Sequence, residues 1–414
     1  MKLNLKKLIY IQIYLLFTIR FIISIVGITY ISYVCDIVNA IIVFLMIKNY
    51  KKDKINKVNN IILFCALQFA YWTINYLCGT MTNLSLFFIM VRELVRFYIV
   101  FWAAGSCFKR EDYNKIFKMF DIAIFIHVIL ILFQLYILKV KNIDAIGGIF
   151  GISYGYGNST SHVFLILTLI ITLYKYFEKK EKVYFSLIKI AIVLAVGMMT
   201  EMKSIIYEVA LIVILFLVLN KKISFKHLIL ICCSLVVILF FSNYINKYFN
   251  FNIFSVDEIN KYLDSGYAAN VNGIGRTDGY EKVYKICFGK KISKTWIGYG
   301  LGAATSNQTK ALYAGMNLEY FTYAKMFYDT GIIGSIFYFM FFIICLIKAI
   351  EIRKEDKNLF ILETAIVVIS IYFSFYSAVM ESDFSGYMIY ILLAIPYMMK
   401  NEMRNKEKKE KRYE

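Results

Sequence analysis

Long uninterrupted apolar runs constrain this chain more than any other feature of its sequence. Apolar residues make up 60% of its 414 residues, charged residues make up 18%, and Pro396 is the one proline. Soluble domains are typically about 45–50% apolar and about 25% charged, so the composition argues against a soluble enzyme, a disordered chain, a collagen and a small disulfide scaffold. Runs of about 20 apolar residues can cross a bilayer as helices. The sequence predicts an all-α, polytopic integral membrane protein, because a membrane β-barrel would show alternating segments of about 10 residues.

The apolar runs predict about twelve membrane spans. The connections alternate between basic and non-basic, and the basic set, with both termini, holds 30 of the 47 Lys and Arg residues. Because Lys and Arg concentrate in cytoplasmic loops, both termini are predicted to be cytoplasmic. The same rule accounts for the net charge of +19, so no nucleic-acid partner is predicted. The predicted spans are 8–30, 33–47, 60–78, 84–106, 117–138, 160–174, 183–200, 204–220, 227–244, 326–347, 359–379 and 384–399.

One predicted outer connection is much longer than the others. It divides the chain into membrane helices at 1–244 (about nine spans), an extracytoplasmic loop domain at 245–325, membrane helices at 326–399 (about three spans) and a charged, solvated cytoplasmic tail at 400–414. Loops of this length are more often functional than structureless. Cys287 is the single cysteine in the loop, and the sequence shows no Cys and His spacing typical of a metal site. Neither a metal nor another cofactor is predicted.

Three charged residues, Arg92, Glu93 and Arg96, fall within the fourth predicted span. Each costs about 2.5–3.5 kcal/mol at the centre of a membrane helix, and Arg92 and Arg96 share a helix face because they are four residues apart. They either line a cavity that receives a lipid pyrophosphate or form buried pairs with Glu93 or with an acid on another helix. Arg20 in the first span allows the same two interpretations.

Other charges near the span ends have simpler predicted roles. Asp36 lies near the outer end of the second span and is predicted to reach water. Glu381 and Asp383 lie in a tight outer turn that is predicted to be solvated, with binding of sugar hydroxyl groups as the alternative. Lys189 lies near a cytoplasmic end and is predicted to extend its ammonium group toward the interface.

Four short patterns stand out in the outer loop and just after it. Residues 275–280 read Gly-Arg-Thr-Asp-Gly-Tyr, residues 296–302 read Trp-Ile-Gly-Tyr-Gly-Leu-Gly, Glu319 precedes Tyr320, and residues 329–334 read Asp-Thr-Gly-Ile-Ile-Gly. Closely spaced glycines let a backbone turn tightly or offer N–H groups to an anion. The guanidinium of Arg276 is permanently charged and matches the geometry of a phosphate.

In their order and spacing, these patterns resemble the O-antigen polymerase/ligase superfamily, which includes the Wzy-type polymerases of bacterial surface polysaccharides. Two further segments agree: residues 148–151 read Gly-Ile-Phe-Gly and lead through a polar stretch to His162, and residues 199–204 read Met-Thr-Glu-Met-Lys-Ser between two spans. Family members often carry an arginine in the second segment, where this chain has Lys203. The resemblance covers roughly residues 145–345.

The resemblance implies a metal-independent glycosyltransferase with a GT-C-like, all-α fold in the bacterial cytoplasmic membrane. Such enzymes move a glycan from a polyprenyl-pyrophosphate-linked oligosaccharide, held in the membrane lipid, to a sugar hydroxyl of another lipid-linked repeat unit. Arg276 and Lys203 would hold the pyrophosphate, and Glu319 would act as a base. A chain-length regulator and a flippase are the protein partners expected. The substrate-binding residues would be Arg92, Arg96, Gly298, Gly300, Gly302, His162 and Asp278.

Two alternative functions remain open from the sequence. An O-antigen ligase uses the same chemistry with a lipid A core as acceptor, but many ligase-like members have a histidine where this chain has Glu319. A lipid-linked oligosaccharide flippase or another transporter also has about twelve spans. Transporters often show two related halves, and no repeat is visible between residues 1–200 and 201–414, so the single large loop favours the transferase.

Overall fold

The chain is described here by a computed structural model that covers residues 4–51, 59–153, 157–220, 255–265 and 273–410. Secondary structure in these residues is helical, apart from one isolated bridge between Ile146 and Ile152. The predicted all-α fold is therefore confirmed for this part of the chain. The helices are α1 Leu5–Val26, α2 Tyr33–Lys51, α3 Asn59–Leu77, α4 Leu84–Cys107, α5 Arg110–Leu132, α6 Gly157–Phe177, α7 Val183–Met199, α8 Ile205–Asn220, α9 Val256–Ser265, α10 Gly279–Lys282, α11 Ile292–Ile297, α12 Asn307–Leu312, α13 Thr322–Ile352, α14 Lys357–Tyr376, α15 Asp383–Leu392 and α16 Ile395–Glu410.

Six helical stretches in the described residues are long and apolar enough to cross a membrane: Leu5–Val26, Tyr30–Asn49, Arg110–Ile137, Gly157–Phe177, Thr322–Ile352 and Lys357–Tyr376. Three shorter apolar helices accompany them, at Ile61–Leu77, Val183–Met199 and Ile205–Asn220. Many large apolar side chains on these helices are exposed, including Phe44, Leu77 and Ile129. Extensive apolar surface of this kind is unusual on a soluble monomer. The protein is therefore a membrane-embedded helical protein.

Polar residues set several of the helix boundaries. The side chains of Asn4, Asn83 and Asp356 accept backbone N–H groups at the starts of α1, α4 and α14. These caps satisfy donors that have no partner within the helix. Gly27 ends α1 in the left-handed conformation, with its N–H donated to the carbonyl of Ile23.

The observed helices coincide with most of the predicted spans. Ten of the predicted segments lie mostly within a single helical stretch, although several helices extend beyond the predicted limits. The segment predicted at 227–244 lies outside the described residues. The segment predicted at 384–399 is divided between α15, which ends at Leu392, and α16, which begins at Ile395.

Pro396 explains this division. A proline inside a helix has no N–H to donate and clashes with the carbonyl four residues earlier, which belongs to Leu392. Proline is well tolerated in the first turn of a new helix, where α16 places it. The tail was predicted to begin at residue 400, but α16 continues through that position to Glu410.

The connections gather at two opposite ends of the helical bundle. At one end, which we call the loop end, the turn 78–83, the loop 138–153, the turn 200–204, the segment 273–321 and the turn 377–382 come together. Contacts that link them include Thr80 with Tyr299, Asn158 with Thr200, and Lys325 with Glu381. At the other end, which we call the basic end, the start of α1 meets residues 108–112, 178–182, 353–357 and 400–402.

Ion pairs link several helices at the basic end. Arg110 pairs with Asp356 at 2.6 Å and with Glu178 at 3.5 Å. Lys189 is buried and pairs at 2.5 Å with both Asp121 and Glu181. The prediction that Lys189 extends its ammonium group toward the interface was therefore wrong, because the side chain is buried among acidic groups from α5 and from the connection before α7.

Helix α6 lies at the centre of the bundle. Almost all of its residues are buried, and it packs against α5, α7, α8 and α14. The polar residues at its start, Asn158, Ser161 and His162, therefore lie within the protein at the loop end. This position brings them close to the segments that the sequence analysis selected.

Candidate functional site at the loop end

Helix α13 is broken at Gly331, close to the loop end. Gly331 has φ 65° and ψ −164°, a conformation essentially restricted to glycine. A break frees carbonyl groups that must be satisfied inside a membrane protein. Tyr71 donates a hydrogen bond to the carbonyl of Thr330 at 2.6 Å, and Asn75 donates one to the carbonyl of Asp329 at 3.3 Å. Helix α3 thus stabilises the discontinuity in α13.

The turn that contains Gly298, Gly300 and Gly302 packs directly on this break, and all three glycines have positive φ. The N–H groups of Gly302 and Ala304 donate to the carboxylate of Asp329 at 3.0 and 2.7 Å, and that of Gly300 donates to its carbonyl at 2.8 Å. A side-chain carbon on Gly298 would lie 2.5 Å from the same carbonyl oxygen. The glycines therefore permit close packing, and these N–H groups already have partners. The substrate contact assigned to the three glycines stays a prediction that would require other atoms of the turn.

Arg276 is buried at the loop end against Tyr376, the last residue of α14. Its guanidinium carbon lies 4.6 Å from the centre of the tyrosine ring, and 5% of the residue is exposed. Asp278 shapes the turn around it by accepting the N–H of Gly275 at 2.7 Å and pairing with Lys282 at 2.7 Å. Because arginine remains charged under ordinary conditions, the turn places a fixed positive charge here. The substrate-binding role of Asp278 stays a prediction beside this structural one.

His162 reaches the same tyrosine from α6. The centres of the His162 and Tyr376 rings are 5.4 Å apart, and the rings are nearly perpendicular. Nε2 of His162 lies 2.5 Å from the carboxylate of Glu208 on α8, and both residues are almost fully buried. His162 and Arg276, which are distant in the sequence, therefore contact one aromatic side chain.

Lys203 lies in the turn between α7 and α8, beside a polar cleft. Asn158 joins this turn to the loop before α6, because it donates to the carbonyl of Thr200 at 2.9 Å and to Asp144 at 3.5 Å. A cleft of about 390 Å³ is lined by Glu201 of this turn and by Asp144 and its neighbours in the loop before α6. Burial raises the pKa of the Glu201 carboxyl, Asp144 raises it further, and Lys203 opposes the rise. Lys203 therefore interacts electrostatically with the acidic wall of the cleft.

Asp383 is the centre of a second polar cluster at the loop end. It accepts hydrogen bonds from Arg96 at 2.7 Å and from Arg20 at 3.0 Å, and it is buried. Arg96 also donates to the carbonyl of Glu381 at 2.7 Å. The prediction of a solvated Asp383 was wrong, because α1 and α4 bring two guanidinium groups to the start of α15. For Arg20 and Arg96, the structure supports the interpretation as buried pairs with an acid on another helix.

Two further pairs complete this cluster. Lys325, buried on α13, pairs with Glu381 at 2.6 Å and lies 4.0 Å from Glu93. Arg92 pairs with Asp36 of α2 at 2.5 Å. Asp36 and Glu381 were predicted to be solvated, whereas both are partly buried and engaged. The substrate-binding roles assigned to Arg92 and Arg96 stay predictions, and they would require these pairs to open.

Glu319 lies apart from these groups. It forms an ion pair with Lys310 at 2.7 Å, and both side chains are exposed. Together with Tyr313 and Asn317 it lines an open cleft of about 300 Å³ in the loop segment. Among the described residues, no hydrogen bond or ion pair links Glu319 to Arg276, Lys203 or His162. Its role as a base stays a prediction.

The structure thus brings His162 and Arg276 together and places Lys203 at the same end. Sequence reasoning did not select Glu208, Tyr376 or Lys325. An acidic residue in the first turn of the very apolar helix α8 was a signal for Glu208. Lys325 is the last residue of the predicted outer loop, and Tyr376 is one of 34 tyrosines, so neither has a distinguishing signal.

The fold and the paired charges define a membrane-embedded, all-helical protein with a polar cluster at one end of its bundle. No family model and no curated protein matches the chain.

Proposed function

We propose that this protein is a Wzy-type polysaccharide polymerase that acts at the outer face of a bacterial cytoplasmic membrane. It transfers a glycan from a polyprenyl-pyrophosphate-linked oligosaccharide to the sugar hydroxyl of another lipid-linked repeat unit. The observation that carries the proposal is the meeting of Arg276 and His162 on Tyr376 at the loop end. Two segments that the resemblance selected independently are brought into contact there through one side chain.

The reaction requires positive charge where the pyrophosphate leaves. Groups that face developing charge in a water-poor site contribute strongly to catalysis. In this proposal Arg276 and Lys203 face the pyrophosphate, and the acceptor sugar lies toward His162. The polar cleft beside Glu201 and Asp144 supplies carboxylate oxygens suited to sugar hydroxyl groups.

The proposed topology has twelve spans with both termini in the cytoplasm. The basic end then faces the cytoplasm, as the distribution of Lys and Arg predicts. The loop end faces outward, where the lipid-linked units are joined. A flippase that delivers these units and a chain-length regulator are the partners expected in this arrangement.

The test compares polymer formation by three variants in cells that carry the complete assembly system. Arg276→Ala and Lys203→Ala are expected to abolish polymer, while short lipid-linked units still reach the outer leaflet. Lys285→Ala is the matched control, because Lys285 is an exposed lysine of the same loop segment that pairs only with Glu281 in the described residues. Polymer and lipid-linked units are measured by electrophoresis and by surface labelling.

The outcomes separate the candidate functions. Units that remain on the cytoplasmic side in the Arg276→Ala variant would favour a flippase. Polymer of unchanged length that stays on the polyprenyl carrier and is not attached to a lipid A core would favour a ligase. Normal polymer in both variants would remove the proposed pyrophosphate site.

A further variant tests the base inferred from the resemblance. If Glu319 acts as a base, Glu319→Gln should reduce the amount of polymer strongly, because the amide accepts no proton at neutral pH. Unchanged amount and length of polymer in this variant would remove Glu319 from the catalytic set.

A further inference from the structure

A histidine–carboxylate pair is buried at the loop end between α6 and α8. Nε2 of His162 and Oε2 of Glu208 are 2.5 Å apart, and the two residues are 3% and 1% exposed. A carboxylate in this position orients the ring and favours the tautomer that carries its proton on Nε2. Nδ1 then has a lone pair that accepts a proton, and in the described part of the chain it makes no hydrogen bond.

Three polar atoms next to this pair have unused hydrogen-bonding capacity. The second carboxylate oxygen of Glu208 and the hydroxyl of Ser204, one helical turn earlier, are buried without a partner among the described residues. Oδ1 of Asn158, one turn before His162 on α6, is likewise buried without a hydrogen-bond partner among the described residues. Buried polar groups are almost always hydrogen-bonded. Sugar hydroxyl groups are donors of the kind that these oxygen atoms accept.

The pair is also placed correctly relative to Arg276. The His162 ring centre and the Arg276 guanidinium carbon lie 5.4 and 4.6 Å from the Tyr376 ring centre, so they are at most ~10 Å apart. In a glycosyl transfer, a proton acceptor and a phosphate-binding group lie on opposite sides of the anomeric carbon, each within about 3 Å of its hydrogen-bond partner. This upper limit on the separation leaves room for such an arrangement.

We propose that His162, positioned by Glu208, accepts the proton of the acceptor hydroxyl, an inference that rests on the polymerase function proposed above. The hydroxyl oxygen forms a bond to the anomeric carbon while its proton moves to Nδ1 of His162. The bond from that carbon to the pyrophosphate oxygen breaks, and both electrons leave with the pyrophosphate toward Arg276. His162 thus takes the role that the resemblance gave to Glu319.

The titratable and charged groups around His162 come from three elements. Glu208 faces it from α8, Tyr376 faces it from α14, and Arg276 of the loop segment lies against the ring of Tyr376. Glu208 orients the ring of His162, so the reaction rate should depend on the carboxylate at position 208.

The experiment measures initial rates of polymer formation by the purified full-length protein at neutral pH. The probe is the pool of lipid-linked repeat units extracted from cells that lack this protein. The variants are His162→Gln, Glu208→Gln and Glu208→Asp. His127→Gln is the matched control, because His127 is a buried histidine of α5 that bonds to Ser161, the neighbour of His162. Thermal unfolding of every variant is recorded, and rates are expressed per folded molecule.

We expect His162→Gln and Glu208→Gln to lower the rate by about 100-fold or more, and Glu208→Asp to restore part of it. His127→Gln should leave the rate close to that of the parent protein. His162→Gln with the parent rate, or an equal loss of rate in His127→Gln, overturns the inference. If Arg276→Ala is inactive at the same time, the proposed function stands and only the role of His162 fails; full activity of Arg276→Ala would instead refute the proposed function.

Discussion

At the scale of single residues, the glycines at and near the break in α13 allow its backbone conformation and the close packing around it. Gly331 adopts a backbone conformation open essentially to glycine, and a side-chain carbon there would lie 2.3 Å from the carbonyl oxygen of Trp296. Gly289 also has positive φ, but an added carbon there meets nothing within 4 Å. A substitution at Gly289 therefore tests backbone strain alone, whereas a substitution at Gly331 tests backbone strain together with a steric clash.

We predict that Gly331→Ala lowers the free energy of unfolding by more than about 3 kcal/mol, since strain alone costs of order 1–3 kcal/mol and the clash adds to it. Gly289→Ala should cost about 1 kcal/mol, because only the left-handed backbone is penalised. Thermal unfolding in detergent micelles measures both effects. Equal losses in the two variants would show that the packing of Trp296 on Gly331 contributes nothing.

The carboxyl group of Glu201 predicts that folding stability depends on pH. Burial and the nearby Asp144 raise the pKa of its carboxyl above the ordinary value near 4.5, although Lys203 opposes the rise. The folded state therefore holds this proton more tightly than the unfolded state. The protonated Glu201 carboxyl therefore contributes favourably to the free energy of unfolding. This contribution is fully present below about pH 4.5 and is lost as pH rises through the folded-state pKa of Glu201.

We therefore expect Glu201→Gln to be more stable than the parent protein at neutral pH, and the difference should vanish in acid. The measurement is the difference in Tm between the two proteins from pH 4 to pH 8. A difference that stays constant across this range would refute the assignment. Glu351→Gln at the opposite end of the bundle serves as a control, because it also removes a carboxylate, one that is paired with Lys348 and Lys400.

At the scale of elements, Asp383 ties three helices together. It lies at the start of α15 and accepts hydrogen bonds from Arg20 of α1 and Arg96 of α4. A buried pair is not by itself evidence of stabilisation, but removal of one partner leaves an uncompensated charge. Here a single substitution would leave two guanidinium groups without their shared carboxylate.

Asp383→Asn should accordingly lower the free energy of unfolding by about 3 kcal/mol. Glu351→Gln, which removes a carboxylate from exposed pairs with Lys348 and Lys400, should cost less than about 1 kcal/mol. Thermal unfolding of both variants in the same detergent provides the comparison. Similar small losses in the free energy of unfolding would mean that Asp383 is not the residue that joins α1, α4 and α15.

At the scale of the whole molecule, the two ends of the bundle differ in what they contain. The basic end carries short connections rich in Lys and Arg, and the loop end carries the segment 273–321 and the polar cluster. In the topology proposed from the positive-inside rule, these ends face opposite sides of the membrane. Four exposed positions report on this: Lys141 and Ser293 at the loop end, and Lys180 and Lys354 at the basic end.

We predict that single cysteines at 141 and 293, introduced after replacement of the eight native cysteines, react with a membrane-impermeant maleimide in intact cells. Cysteines at 180 and 354 should react only after the membrane is permeabilised. Labelling is followed by gel shift of the full-length protein. Reaction of all four positions in intact cells, or the reverse pattern, would contradict the proposed topology and the site that depends on it.

Sequence reasoning succeeded where the determining physics is local. A run such as 8–30 must form a helix in lipid, because a helix satisfies its own backbone hydrogen bonds, and α1 occupies most of that run. The glycine-rich turn at 298–302 was also predicted as a turn. Two of the selected site residues, Arg276 and His162, both lie against Tyr376, although the sequence contains no direct sign of this arrangement.

The sequence by itself determined that the chain is helical and membrane-embedded, and it divided the connections into two sets by their charge. Only the tertiary structure decided which charges pair: Asp383 with Arg20 and Arg96, Lys189 with Asp121, and His162 with Glu208. The physical reason is that hydrophobicity acts on each segment separately, whereas an ion pair needs two side chains that packing brings together from distant parts of the chain.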